Sequence, residues 1–178
     1  RDFEETKDIL FVGGFMHDPN KDAIRWLHES IMPRIKARNS NINLTIVGSN
    51  ATDEIKKICE EGGYNLLGYV SDEELTKLYK TTRIVVAPLR YGAGIKGKIV
   101  EAMANGAAII TTSCGAEGIV DAPYFMRIYD DALEFAGEVL KLYDDFEALK
   151  NLSIEAQKVI NRRFTMEAAW NIVKDDFE

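Results

Sequence analysis

The sequence has 178 residues, of which 46% are hydrophobic, and its 22 basic and 29 acidic residues give a net charge of −7. A chain of this size and apolar content can bury a substantial core, so we expect one domain over residues 1–178 rather than a disordered or fibrous protein. A net negative surface repels phosphate backbones, which argues against broad nucleic-acid binding. The chain begins with Arg1 directly before a predicted strand, so we expect it to be a piece of a longer protein.

The cysteines and the hydropathy pattern indicate a reducing compartment. Cys59 and Cys114 are too few for a disulfide framework and lack the spacing of metal ligands. The sequence has no apolar run approaching the roughly 20 residues that cross a bilayer, and no signal peptide opens it. We therefore predict a cytoplasmic location without a membrane anchor in this segment, and membrane association of the full-length protein stays open.

Short β-branched runs alternate with longer helical runs along the chain, the pattern of an α/β protein with a parallel sheet. The predicted strands are 8–13, 43–48, 65–69, 83–88, 107–112 and 125–129. The predicted helices are 21–36, 53–61, 72–81, 96–105, 131–143, 146–161 and 166–176. This order predicts a Rossmann-like, three-layer α/β/α domain with a mainly parallel sheet of about six strands.

In an open parallel sheet, ligands bind outside the carboxyl ends of the strands. The loops to consider are therefore 13–20, 49–52, 89–96 and 113–121. Gly13 and Gly14 follow the first strand, but the third glycine of a dinucleotide fingerprint is absent. Residues 48–50 read Gly-Ser-Asn where an acid would bind the ribose of NAD, which argues against a dehydrogenase.

One acid-free segment, RIVVAPLRYGAGIKGK at residues 83–98, concentrates positive charge and glycine in a net-negative protein. Its cations are Arg83, Arg90, Lys96 and Lys98, and its glycines are Gly92, Gly94 and Gly97. Glycines between a strand end and a helix start let backbone amides approach a ligand, and the helix N-terminus adds about half a positive charge. The segment therefore predicts a phosphate or diphosphate site.

Lys98, Glu101 and Asn105 follow at spacings of three and four and form a polar stripe on the predicted helix. At about 1.5 Å per residue, Glu101 lies roughly 7 Å from the helix start. That distance suits a carboxylate that accepts hydrogen bonds from the ribose diol of a bound nucleotide. The alternative is an ordinary ion pair between Lys98 and Glu101, worth a few tenths of a kcal/mol.

Three stretches resemble the group 1 glycosyltransferases, the family-4 retaining enzymes of the two-domain GT-B fold. They are FVGGFMHDPNKDAIRW, LLGYVSDEELTKLY and APLRYGAGIKGKIVEAMANGAAIITTSCGAEGI, and they occur in the family's order. The resemblance covers nearly the whole chain and corresponds to the C-terminal, donor-binding domain. It implies binding of a nucleoside-diphosphate sugar and retaining transfer of the sugar to an acceptor hydroxyl, with no metal required.

The resemblance assigns Glu101 to the second acid of the family's paired-glutamate motif, which binds the ribose. The first acid should stand eight positions earlier, where this sequence has Ala93. The arginine that commonly follows the first strand is replaced by Gly14, so a usual diphosphate cation is also missing. Lys96 and Lys98 are expected to supply that charge and to stabilise the departing diphosphate.

The resemblance also points to Val70 and Leu75 as contacts of the base, which backbone groups would read. Because backbone readout leaves almost no side-chain code, donors of the UDP, GDP and ADP types stay open. Glu117, in the loop after the fifth strand, is expected near the sugar diphosphate; the alternative is a solvated loop acid.

The last predicted helix, within residues 165–178, is expected to cross to an N-terminal acceptor-binding domain that this chain lacks. The isolated chain is therefore expected to bind a nucleotide sugar without transferring the sugar. Two other classes stay open: a nucleotide-sugar epimerase, and a non-catalytic nucleotide-binding module, to which Ala93 lends weight.

Overall fold

The computed structural model of the protein describes residues 1–163. Its strands are β1 (Lys7–Val12), β2 (Leu44–Val47), β3 (Asn65–Gly68), β4 (Thr82–Ala87), β5 (Ala108–Thr111) and β6 (Arg127–Ile128). Its helices are α1 (Asp18–Trp26), α2 (Met32–Arg38), α3 (Asp53–Gly62), α4 (Asp72–Thr81), α5 (Gly97–Ala104), α6 (Ala132–Tyr143) and α7 (Phe146–Arg163). The helix predicted within residues 165–178 lies outside the described residues.

The strands form one parallel sheet in the order β3-β2-β1-β4-β5-β6. This is the order of the doubly wound Rossmann fold, in which the chain builds outward from β1 in one direction and then in the other. The predicted α/β class and the six-stranded parallel sheet are confirmed.

Helices cover both faces of the sheet, and the side chains of each central strand alternate between the two layers. In β1, Ile9 and Phe11 pack into the core that contains α1, α2 and α6, whereas Leu10 packs into the core that contains α4 and α5. Near-continuous burial along β1, β4 and β5 explains why these runs read as apolar rather than alternating in the sequence.

The helix predicted over residues 21–36 is present but begins earlier and is interrupted. It starts at Asp18 because Pro19, which lacks an N–H, fits the first helical turn. A π-helical turn, Leu27–Ile31, separates α1 from α2. Pro33 follows that turn, and because Pro33 cannot donate the next helical hydrogen bond, the ladder is broken at this point.

The strand predicted over 125–129 is shorter in the structure, where β6 spans Arg127–Ile128. Phe125 follows a 3₁₀ turn, Ala122–Tyr124, and its side chain is 1% exposed in the core. The N–H groups of Phe125 and Met126 donate to the carbonyl oxygen of Ala122 and so close the turn instead of pairing with β5. Within residues 1–163, no helix combines the length and the apolar character needed to cross a membrane.

Gly48 marks the tightest backbone approach at the carboxyl edge of the sheet. A Cβ at Gly48 would lie 2.1 Å from the carbonyl oxygen of Gly13 and 3.1 Å from Cε2 of Phe15. We expect Gly48→Ala to lower the free energy of unfolding by about 2–3 kcal/mol, because β1 and β2 must separate there. Urea unfolding measures the loss. Gly137→Ala is the matched control: the site in α6 has no atom within 4 Å, so we expect a small gain, and an equal loss at both sites would contradict the steric argument.

Candidate functional site

The loops after β1 and β4 meet at the carboxyl edge of the sheet, where the connections turn to opposite faces. The loop after β1 leads to α1 on one face and the loop after β4 leads to α5 on the other. Ligands of this fold bind at such a switch point. A cavity of about 410 Å³ lies there. Its lining includes His17, Asn20, Ala93, Lys96, Gly97 and Lys98.

A larger cavity of about 500 Å³ lies at the opposite end of the sheet, beside the beginning of the chain and α7. The Arg1 guanidinium closes part of it by donating to the carbonyl oxygen of Gly106 at 2.8 Å and to that of Thr82, the first residue of β4. The amino ends of parallel strands carry no converging helix N-termini, so size alone does not make this cavity the better site.

Lys98 reaches across the switch point from α5 to Asn20 in the first turn of α1. Its ammonium donates a hydrogen bond to Oδ1 of Asn20 and lies 4.8 Å from the centre of the Phe11 ring. Burial lowers the pKa of Lys98 to about 8. A cation desolvated in this way gains more from an anionic ligand than an exposed lysine does, because little water screens it.

The glycines after β1 leave room for this contact. A Cβ at Gly13 would lie 2.4 Å from the Lys98 ammonium, so a larger residue would displace the lysine. Asn20 is buried, and its Nδ2 donates to the carbonyl oxygen of Gly14 at 2.7 Å while its Oδ1 accepts from Lys98. Asn20 thus fastens the loop after β1 to α5, a role that the sequence analysis missed. The available signal was its place directly after the glycines that follow β1, at the ligand edge; in the structure Asn20 lies in the first turn of α1.

Lys96, the second lysine, is held within its own loop. Its ammonium lies 3.1 Å from the carbonyl oxygen of Gly92 and 3.2 Å from Oε2 of Glu117, and it also donates to the carbonyl oxygen of Gly94. The Lys96 side chain is 11% exposed, whereas that of Glu117 is 51% exposed. Both predicted residues are therefore at the carboxyl edge, joined to each other as an ion pair.

Helix α5 begins at Gly97 and opens on the cavity. Its N-cap is Lys96, whose side chain has no acceptor atom, so no side chain caps the first amides of the helix. Free amides at a helix start are positive groups that favour an anion. The predicted helix start and its glycines are thus at the predicted edge of the sheet, beside Lys98.

Glu101 lies one turn further along α5 and is exposed. The hydroxyl of Tyr79, a side chain that is 0% exposed, donates a hydrogen bond to Oε2 of Glu101 at 3.2 Å. Burial and the Glu101 carboxylate raise the pKa of Tyr79 well above its ordinary value, so the hydroxyl stays a donor. Tyr79 was also missed: its spacing in α4 indicated only a core aromatic. The Lys98–Glu101 ion pair offered as an alternative does not form, since Lys98 bonds to Asn20.

Val70 and Leu75 border the same part of the core, at the end of β3 and in α4. Both are partly buried and pack against the cluster that contains Tyr79. Val70 also lines a surface cavity of about 420 Å³ together with Tyr69 and Glu74, whereas Leu75 does not. The two residues predicted to contact a base are therefore on the Glu101 side of the site.

Two of the four cations in the acid-free segment serve the fold instead of the site. Arg83 stacks on the rings of Tyr143 and Phe146, 4.5 and 5.0 Å from their centres. Arg90 binds both carboxylate oxygens of Asp22. The expected cluster of cations therefore reduces to the two lysines.

The fold and these groups together define a Rossmann-like domain with two lysines lining a cavity at its switch point. Across residues 1–163, no three His, Cys, Asp or Glu side chains are grouped to hold a metal ion. The family model of the glycosyl transferases group 1 matches residues 6–145, and the chain belongs to that family.

The chain is 27% identical over 173 residues to an uncharacterized 44.6 kDa protein in the cps region of Klebsiella pneumoniae, covering 93% of this chain and 45% of that protein. Among solved structures, TarM superposes with a TM-score of 0.79 at 18% identity, over 96% of this chain and 35% of TarM. The C-terminal domain of the group 1 protein LpcC from Francisella tularensis superposes with a TM-score of 0.69 at 16% identity, over 90% of this chain and 88% of that domain. These likenesses show the GT-B half-fold, and the chain spans less than half of its Klebsiella relative.

Proposed function

We propose that this chain is the donor-binding domain of a retaining glycosyltransferase and binds a nucleoside-diphosphate sugar at the switch point of its sheet. The observation that carries the proposal is the placement of Lys98 beside the start of α5, with Glu101 one turn further along the same helix. A single helix thus offers a cation and free amides at its start, for the diphosphate, and a carboxylate one turn further along, for the ribose.

Each predicted residue has a part in this proposal. Lys98 and the first two α5 amides, those of Gly97 and Lys98, bind the diphosphate. Gly13 leaves room for the Lys98 ammonium, and Gly14 is assigned to the approach of the diphosphate beside β1. The other assigned contacts are Glu101 for the ribose, Val70 and Leu75 for the base, and Gly94, Lys96 and Glu117 for the loop nearest the sugar diphosphate. Tyr79 donates to one Glu101 oxygen and leaves further acceptor positions of the exposed carboxylate for the ribose hydroxyls.

The difficult step of such a transfer is departure of the diphosphate, since negative charge grows on its bridging oxygen. Lys98 and the α5 amides would stabilise that charge from fixed positions, which is electrostatic catalysis. The contact between Glu101 and the ribose would use remote binding energy to orient the donor. The acceptor site belongs to an N-terminal domain outside this chain, so the chain alone transfers no sugar.

Two further observations support the proposal. A solved structure of S. aureus TarM, which superposes with a TM-score of 0.77 at 15% identity over 94% of this chain, is a complex that contains UDP. The thiols of Cys59 and Cys114 are free, in keeping with a reducing, cytoplasmic compartment where nucleotide sugars would be used. The donor base stays one of UDP, GDP or ADP type, and the proposal requires no metal.

A non-catalytic nucleotide-binding module is the second candidate. Ala93 lines the cavity where the family's first glutamate is expected, so a carboxylate is missing at that place. An epimerase would also need a catalytic acid near the donor, and Ala93 argues against it. An activity assay of the full-length protein separates the three classes. A glycosyltransferase transfers the sugar to an acceptor, an epimerase releases free or rearranged sugar without one, and a non-catalytic module does neither.

A thermal-shift panel of UDP, GDP and ADP with their sugars tests the proposal. We expect one nucleotide, at a concentration roughly 100 times its Kd, to raise the Tm by about 5–10 °C, because it binds the folded state and not the unfolded state. Lys158→Met, an exposed change on α7, should keep the shift. An unchanged Tm with all three nucleotides would contradict nucleotide binding, and sugar transfer by the isolated chain would contradict the missing acceptor site.

A further inference from the structure

Lys96 and Lys98 border the same cavity, but their ammonium groups have different numbers of hydrogen bonds to spare. An ammonium has three N–H donors. Lys96 directs them at the carbonyl oxygens of Gly92 and Gly94 and at Glu117 Oε2. Within residues 1–163, Lys98 donates to one acceptor, Asn20 Oδ1. Lys96 therefore has no donor left for a ligand, whereas Lys98 has two.

The contacts of Lys96 also decide which way the peptide groups of its loop point. In a trans peptide the C=O and the following N–H point in opposite directions. Because the carbonyl oxygens of Gly92 and Gly94 face the Lys96 ammonium, the N–H groups of Ala93 and Ile95 face away from it. Neither N–H has a hydrogen-bond acceptor in the described part of the chain, and both residues line the cavity.

This loop has a shape that needs an internal support. Gly92 and Gly94 have φ angles of 119° and 76°, which leave the glycine loop, residues 92–96, without regular hydrogen bonding. The connection after β5 packs against it: Cys114 Sγ donates to the carbonyl oxygen of Gly92 at 3.3 Å, and a Cβ at Gly118 would lie 2.7 Å from Ile95. Glu117 lies in that connection too, and its carboxylate accepts a hydrogen bond from Lys96 in the glycine loop.

We propose that Lys96 is a positioning residue, which with Glu117 holds the glycine loop so that its amides face the diphosphate, while Lys98 is the lysine that touches the diphosphate. This role rests on the proposed function, since it assigns a task within the same site. The sequence predicted that both lysines supply charge to the diphosphate; in this proposal Lys98 does so alone and Lys96 supports the loop.

The direction in which Glu117→Ala changes nucleotide affinity separates this role from direct contact. If Lys96 touched the diphosphate, Glu117 would compete for the ammonium, and Glu117→Ala would tighten nucleotide binding. If Lys96 is a support, removing its carboxylate partner loosens the loop and weakens binding.

The test is calorimetric titration of the chain with UDP, GDP and ADP. With the nucleotide that binds, we expect Lys96→Met and Glu117→Ala each to weaken affinity about fivefold to tenfold, and the double variant to be no weaker than Lys96→Met. Lys96→Arg, which keeps donors for the carbonyls and the carboxylate, should regain most of the affinity. Tighter binding by Glu117→Ala, or losses that multiply in the double variant, would overturn the proposal.

A ligand-free measurement accompanies the titration. Lys96→Met and Glu117→Ala should each lower the Tm by about 2 °C, and the double variant by little more, because both remove the same contact. The exposed pair Glu155 and Lys158 on α7 is the matched control, where Tm should barely change. Wild-type chain that binds none of the three nucleotides would refute the proposed function and this role together, whereas binding with additive Tm losses would refute this role alone.

Discussion

Lys98→Met is expected to weaken binding of the nucleoside diphosphate by about 50-fold. The substitution keeps most of the apolar side chain and removes a desolvated cation that lines the cavity and has two N–H donors without an acceptor in residues 1–163; hydrogen bonds from such a cation are strong. Titration calorimetry with the nucleotide identified by the panel gives the ratio of Kd values. Lys158→Met is the control of the same chemistry at a site exposed on α7.

The pH dependence of binding provides an independent check on the same residue. Because the pKa of Lys98 is about 8, the wild-type affinity should fall roughly tenfold for each pH unit above that value, as the ammonium loses its proton. The Lys98→Met variant should show no such decline. A wild-type affinity that stays constant to pH 9.5, together with unweakened binding by Lys98→Met, would remove Lys98 from the diphosphate site.

The same pKa sets the direction of a stability trend. The folded chain releases the Lys98 proton at about pH 8, whereas the unfolded chain keeps it to about 10.5. Between these values the unfolded state binds more protons, so this residue makes the free energy of unfolding rise with pH. The contribution should vanish in Lys98→Met.

Glu101→Ala is expected to weaken binding of the same nucleotide by about 20-fold, because the ribose diol loses an anionic acceptor. The specific readout is the 2′,3′-dideoxy analogue, which has no hydroxyls for Glu101 to accept. Wild-type chain should prefer the ribose form, and Glu101→Ala should bind both forms alike. Calorimetry of the four combinations measures the coupling.

Tyr79→Phe provides the intermediate case for this prediction. It removes the hydroxyl that donates to Glu101 Oε2 and leaves the buried ring, so we expect a loss of about threefold to fivefold in ribose preference. Glu155→Ala, on α7, is the control for loss of an exposed acid. An equal weakening of ribose and dideoxy forms by Glu101→Ala would show that the carboxylate acts on something other than the diol.

The fold could be predicted because its signals are local. Apolar runs and glycines at strand ends indicate where elements begin and end. In the structure, a capping box between Ser71 and Glu74 starts α4, a contact between residues only three apart in the chain. The π-helical turn before Pro33 escaped prediction, since it depends on how the missing N–H is accommodated in three dimensions. The short β6 escaped because the N–H groups of Phe125 and Met126 donate to the carbonyl oxygen of Ala122 instead of pairing with β5.

The sequence indicated the edge of the sheet at which the candidate residues lie, but not their contacts. The sequence predicted Lys96, Lys98 and Glu101 at one helix start. Spacing alone cannot show that the Lys96 ammonium turns back to bond to its own loop. Nor can it show that Asn20 meets Lys98, because those residues are far apart in the chain and become neighbours only through the parallel pairing of β1 with β4. Long-range contacts of this kind depend on sheet order, which the sequence does not state.

The strand order has a consequence for how donor preference can change. The residues assigned to the base follow β3, the outermost strand on one side. Lys98 instead bonds to Asn20 where the two central strands, β1 and β4, end. An outer strand has one neighbour, so substitutions around Val70 disturb little of the sheet. If the chain functions as proposed, substitutions around Val70 change the contacts to the base at the edge of the sheet, while the diphosphate contacts at its centre stay in place.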